Sequence, residues 1–128
     1  MKILLDTNAL IWWLSDDPRL GAKAKQIIAK EDTEILVSVV SLWEITMKNR
    51  VGKLEYVGSD FLNDLAEEGI DPLRVSVAHL LKLEAMGFHH KDPFDHLILA
   101  QAEVEGARVL TSDKEMTLYG VPCIPAMR

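Results

Sequence analysis

Hydrophobic positions along the chain fall into short solid runs alternating with stretches of helical spacing. Ile3-Leu4-Leu5 is apolar at three successive positions, the pattern of a strand covered on both faces in the middle of a parallel sheet. The run stops at Asp6. Asn8 to Leu14, with an aromatic apolar face, reads as a short helix that Asp16-Asp17-Pro18 breaks. Ala22 to Lys30 is amphipathic, with Ala24, Ile27 and Ile28 inward and Lys23, Lys25 and Lys30 outward. Glu34 to Val39, β-branched and apolar, gives a second strand. Ser41 to Arg50 follows as a helix carrying Leu42, Ile45 and Met47, closed by Gly52.

Ser59 to Glu68 is a further helix, with Ser59 as its cap, Gly69 as its stop and Phe61, Leu62 and Leu65 as its stripe. Ile70 to Val75 has strand character, confined to an edge by Pro72. Val77 to Met86 returns to helix and ends at Gly87. His89 to His96 leads into the buried helix Leu97 to Ala102, then Arg108 to Thr111 forms a strand. A short helix and a last strand near Val121 to Ile124 complete the order. Strands alternating with helices imply parallel pairing through right-handed crossovers. The expected fold is an α/β protein, a three-layer α/β/α sandwich with a central parallel sheet of about five strands. Without repeats or linkers, residues 1–128 form a single domain.

Composition narrows the class. Hydrophobic residues at 48% beside 27% charged ones describe a chain that folds. Its single cysteine, Cys123, rules out an internal disulfide and a cysteine-rich zinc site, and a reducing cytoplasm is the expected location. Asp6 interrupts the opening apolar run, so no signal-peptide pattern forms. Nor does any apolar stretch reach the length of a membrane span. The net charge of −6 argues against holding nucleic acid by bulk charge alone. Four acids gathered on a metal would leave only −2 of that −6, and a local basic rim would then suffice. Lys48, Arg50, Lys53, Lys91 and Lys114 are candidates for such an RNA path, although lysines on a helix ordinarily form a solvated face.

Candidate chemistry lies in the acids that punctuate the elements. Each has a plain structural reading. Asp6 starts a turn or caps the helix after it, and Glu44, three residues after Ser41, completes a capping box. Asp92 caps a helix with Pro93 at its first position, Asp95 favours the positive end of that helix, and Asp113 is a turn residue. Their joint reading differs. Asp6 and Asp113 end strands, Glu44 opens the helix after one, and in a parallel sheet such points share one edge. Asp95 joins them if its helix starts at that edge. Clustered carboxylates repel until they take up protons or a cation. An oxygen-rich, sulfur-free set suits Mg²⁺ or Mn²⁺ better than zinc, and such clusters serve phosphodiester hydrolysis.

Leu4-Leu5-Asp6-Thr7-Asn8-Ala9-Leu10-Ile11-Trp12-Trp13-Leu14, Val37 to Ile45, His90-Lys91-Asp92-Pro93-Phe94-Asp95 and Leu110-Thr111-Ser112-Asp113 resemble the motifs of the PIN-domain family. The likeness is greatest to the VapC-type ribonuclease toxins of bacterial toxin–antitoxin pairs. It spans essentially the whole chain, with the motifs in family order. The resemblance implies an endoribonuclease dependent on Mg²⁺ or Mn²⁺, an RNA substrate and a small antitoxin protein as partner. By position, Asp6, Glu44, Asp95 and Asp113 match the family's acidic quartet, Asn8 and Ser112 its supporting polar positions, and Asp92 an accessory acid. One departure stands out: His96 occupies a position where the family usually has Arg, and histidine is largely neutral at pH 7.

Other constellations carry less. His89, His90 and His96 lack the helical pairing of a zinc protease and read as surface residues. Trp12, Trp13 and Trp43 read as core or interface rather than base-stacking residues, given their apolar neighbours. The segment Trp12-Trp13-Leu14 and the stripe of Val77 to Met86 exceed what a small domain buries, so a homodimer is expected. Two rival functions are a phospho-acceptor signalling domain and a PIN-like binding module without catalysis. The first needs an acidic pair after the first strand and a lysine after the last, and neither is found. The second is disfavoured because all four acids are retained.

Overall fold

The computed structural model describes Met1–Arg128. Its elements run Lys2–Leu5 (β1), Thr7–Leu14 (α1), Ala22–Ala29 (α2), Glu34–Leu36 (β2), Val39–Arg50 (α3), Gly58–Glu67 (α4) and Val77–Ala85 (α5). Pro93–Glu105 (α6), Arg108–Thr111 (β3), a 3-10 helix Lys114–Tyr119 and Cys123–Pro125 (β4) follow. The sheet has four parallel strands in the order β2-β1-β3-β4. The expectation of about five becomes four plus one bridge, in which Leu73 pairs with Ser38 beside the end of β2. Leu73 donates its N–H to Val37 and accepts that of Val39, and pairing goes no further. Pro72 next to it has no N–H for a ladder, which is why this segment stays a single bridge.

Both faces of the sheet are covered, as the unbroken run in β1 requires. Ile3, Leu5 and Leu110 pack on one side with Leu10, Phe61 and Leu65, which come from α1 and α4. Leu4 and Val109 point the other way, into Val40, Ile98, Leu99 and Met116. Helix α3 lies at the boundary and serves both layers, Ile45 on the first and Val40 on the second. Ile3, Leu4 and Leu5 are fully buried, and each such side chain contributes roughly 1.5–3 kcal/mol relative to exposure.

Two helix starts differ from the sequence reading. Strand β2 is shorter than expected and α3 begins earlier, because Ser38 caps it by accepting the N–H of Val40. The β-branched Val39 and Val40 favour strand locally, but this cap and their burial decide for helix. Ser59 is likewise inside α4, whose start at Val57 has no side-chain cap. No helix is long and apolar enough to cross a membrane.

Candidate active site

Strands β1 and β3 are neighbours at the point where the strand order reverses, and a crevice at their carboxyl ends is where open α/β sheets bind ligands. Asp6 stands there as the N-cap of α1. One carboxylate oxygen accepts the N–H of Ala9 at 2.8 Å and the other accepts the Thr111 hydroxyl at 2.5 Å. The capping reading thus holds for Asp6, and the cap leaves its carboxyl at the sheet edge that the site reading needs. Asp113 follows β3 and caps the 3-10 helix by accepting the N–H of Glu115, while its own N–H donates to Thr111 Oγ1. Thr111 therefore ties the two strand-end acids together.

Glu44 reaches the same edge from the second turn of α3. The capping box with Ser41 does not form: Ser38 holds the cap, and the buried Ser41 hydroxyl bonds instead to that of Thr7 at 3.0 Å. Glu44 is buried. Lys48 Nζ binds its Oε2 at 2.5 Å, one helical turn on, while its Oε1 is buried without any hydrogen-bond partner. Helix α6 starts at this edge too. Asp92 caps it by accepting the N–H groups of Phe94 and Asp95, Pro93 fills the first position, and Asp95 projects inward, nearly buried.

Charge links the acids through Asp6, which lies within reach of Glu44, Asp113 and Asp95. Burial pushes the Asp6 carboxyl up to about 6, opposed by its bonds to Thr111 and Ala9 and reinforced by the charges of Glu44 and Asp113. Burial likewise raises Asp95 to about 7, opposed by a bond from His90 and reinforced by Asp92, Asp6 and Glu44. Partial burial disfavours the Lys48 ammonium, but the bond and charge of Glu44 outweigh it and raise its pKa. Such a pocket binds protons or cations. An oxygen donor set with one buried, unpaired carboxylate oxygen fits a divalent cation of the Mg²⁺ or Mn²⁺ kind.

The remaining candidates divide. Asp92 is half-buried and acts as the cap described. Asn8 and Ser112 flank the crevice but are exposed, and neither side chain makes a hydrogen bond within the protein. Lys48 and Lys91 line an open depression of about 430 Å³ beside the acids, together with His90, Asp92, Phe94 and Asp113. Lys114 faces a separate hollow formed with β4, and Arg50 lies exposed at the far end of α3. Trp43 is 48% exposed and meets Phe94 edge-on at 4.5 Å, at the rim of the site rather than in the core. Trp12 is in the core and Trp13 is half-buried, so the apolar excess assigned to them is largely covered.

His89 is exposed as expected, but His90 and His96 depart furthest from the sequence reading. The His90 side chain is only 6% exposed, and its ring sits between Asp95 Oδ2 at 3.0 Å and the Tyr119 hydroxyl at 2.6 Å. His96 donates from Nε2 to the His90 carbonyl at 2.7 Å, so the residue at the departing position buttresses this loop. Thr7, Thr111 and Tyr119 were also not singled out as site residues. For Tyr119 the sequence offers no signal, since its partners lie about thirty positions away.

A family model for the PIN domain matches residues 3–121. Ribonuclease VapC22 of Mycobacterium tuberculosis is 29% identical over 126 residues, covering 94% of this chain and 93% of that protein. Among solved structures, VapBC2 from Rickettsia felis, bound to a DNA fragment from its promoter, superposes with a TM-score of 0.70 at 16% identity over 98% of each chain. FitAcB from Neisseria gonorrhoeae gives 0.68 at 18% identity over 97% of each.

Proposed function

The chain belongs to the PIN-domain family, and from that premise we propose that it is the ribonuclease toxin of a toxin–antitoxin pair, cutting structured RNA such as transfer or ribosomal RNA. The observation that carries the reading is the convergence of Asp6, Glu44, Asp95 and Asp113 on one crevice, with Glu44 Oε1 buried and unpaired. The VapC22 relative, named a ribonuclease, supports the activity, and the VapBC2 complex among the structural relatives supports the pairing. Asp6, Glu44, Asp95 and Asp113 would hold Mg²⁺ or Mn²⁺. When bound, the cation supplies charge that lets the acids ionise together and stabilises negative charge developing on the phosphodiester.

The chain's own residues have separable parts in this reading. Thr111 and the Ala9 N–H fix the Asp6 carboxylate, so it is oriented before any ligand arrives. Lys48 holds Glu44 and stands at the depression with Lys91, where both present cationic groups to RNA phosphates. Asn8 and Ser112 add exposed polar groups at the crevice. A small antitoxin would insert Arg or Lys among the four acids and replace part of the cation's charge. The protein would work as a homodimer in the cytoplasm.

The test is cleavage of RNA in Mg²⁺. Asp6→Asn, Glu44→Gln, Asp95→Asn and Asp113→Asn should each lower turnover at least about a hundredfold, the scale of losing a main electrostatic contributor. If Asp6→Asn and Asp95→Asn both keep parent activity, the site is wrong. A parent protein that cuts no RNA points to the binding-module alternative. The phospho-acceptor alternative falls with the family assignment.

A further inference from the structure

Hydrogen-bond bookkeeping around Tyr119 fixes the state of a residue inside the site. The Tyr119 oxygen receives the backbone N–H of His89 at 3.0 Å and that of His90 at 3.1 Å. A phenol oxygen has two acceptor positions and one proton. Both acceptor positions are taken, so the contact at 2.6 Å with His90 Nδ1 has the Tyr119 O–H donating. A proton on Nδ1 would bring a third donor to that oxygen. Nδ1 is therefore the acceptor, the ring is the neutral Nε2–H tautomer, and Nε2–H donates to Asp95 Oδ2 at 3.0 Å.

We propose that Tyr119 and His90 form a relay that orients Asp95 for the cation, with His90 a positioning residue and not a ligand. The proposal rests on the metal-dependent reading of the site above. His90, Asp95 and Asp113 have donor atoms within 4.8 Å of one another, a spacing at which His90 could be taken for a ligand. The tautomer decides otherwise, because Nε2 carries its proton and has no lone pair to offer. His90 instead donates to Oδ2 and fixes the orientation of the Asp95 carboxylate that would take the cation. Two contacts brace the ring: His96 donates to the His90 carbonyl at 2.7 Å and crosses the ring edge-on at 4.9 Å. Partners that hold a metal's ligands in place are worth about 10- to 100-fold in metal affinity.

The experiment has three readouts besides activity. Long-range ¹H–¹⁵N spectra of the metal-free protein should show His90 as the Nε2–H tautomer, and Tyr119→Phe should shift it toward a mixture. An Nδ1–H tautomer or an imidazolium in the parent at neutral pH overturns the relay. Titration with Mn²⁺ alone should find His90→Gln, which keeps an N–H near the Nε2 position, close to the parent. His90→Leu should bind at least about tenfold more weakly. Equal affinity for His90→Leu and the parent overturns the proposal, and so does ¹⁴N coupling from His90 in the spin resonance of bound Mn²⁺. A parent protein that binds no Mn²⁺ overturns the metal reading and the proposal with it. Binding with the wrong tautomer overturns the proposal alone.

Discussion

Asp92 and Asp95 sit three residues apart and have different tasks. Asp92 satisfies two backbone N–H groups at the start of α6, so Asp92→Ala should cost about 1 kcal/mol of stability in denaturant titration. Its turnover per folded molecule should fall far less than that of Asp95→Asn. Equal catalytic loss with unchanged stability would place Asp92 among the reacting groups. The buried acids also set a pH dependence. Asp6 and Asp95 rise from 3.8 in the open chain to about 6 and about 7 in the fold. The folded state then holds more protons than the unfolded one between those values. Their contribution to stability is fully present below about pH 4 and is lost as pH climbs through 6 to 7. In chelator, the melting temperature should therefore fall across that window. Asp95→Asn should flatten the fall, and added Mg²⁺ or Mn²⁺ should restore the loss. A parent and variant with parallel melting curves against pH would contradict this assignment.

Elements reach the site through boundaries that local preference only partly sets. Helix α3 starts where Ser38 caps it, and the same hydroxyl donates to Gln101 Oε1 of α6 at 2.5 Å. The helices bearing Glu44 and Asp95 are thus joined by one buried bond. Helix α2 is capped from elsewhere: Lys23 and Ala24 donate their N–H groups to the main-chain oxygen of Arg128. Gly21 is required there, since a Cβ would lie 2.1 Å from that oxygen. Helix α5 opens on a mutual cap between Ser76 and His79, yet leaves Val77 72%, Leu80 49% and Leu81 61% exposed. That face, rather than Trp12 to Leu14, is where a dimer would bury apolar area. Leu80→Glu combined with Leu81→Glu should give a monomer by light scattering at micromolar concentration, without loss of helicity. A parent that is already monomeric ends the dimer proposal.

For the whole molecule, an acidic chain with its most desolvated acids in one crevice has a consequence for control. In the proposed reading, a partner that inserts a cationic side chain among Asp6, Glu44, Asp95 and Asp113 would compete with a divalent cation for the same oxygens. Inhibition by the proposed antitoxin should weaken as Mg²⁺ or salt rises, since both screen or replace that contact. Titrating Mg²⁺ against a fixed amount of partner measures it, and inhibition insensitive to metal would mean that the partner acts away from the acids.

Sequence alone determined the parallel α/β frame and the placing of Asp6 and Asp113 at strand ends. Both are local properties: an apolar run such as Ile3-Leu4-Leu5 and the first polar residue after it depend on near neighbours. The capping role of Asp92 was legible for the same reason, with Pro93 beside it. What tertiary structure alone decided involves residues far apart in the chain. Thr111 and Asp6 bond across 105 positions, Ser38 and Gln101 across 63, and His90 and Tyr119 across 29. Periodicity carries no information about such pairs, because each is created by strand order and helix packing. The histidines show it most plainly. As sequence, His90 is a polar residue in a loop. In the fold its ring is wedged between a tyrosine and a buried acid, where hydrogen-bond counting leaves it a single tautomer.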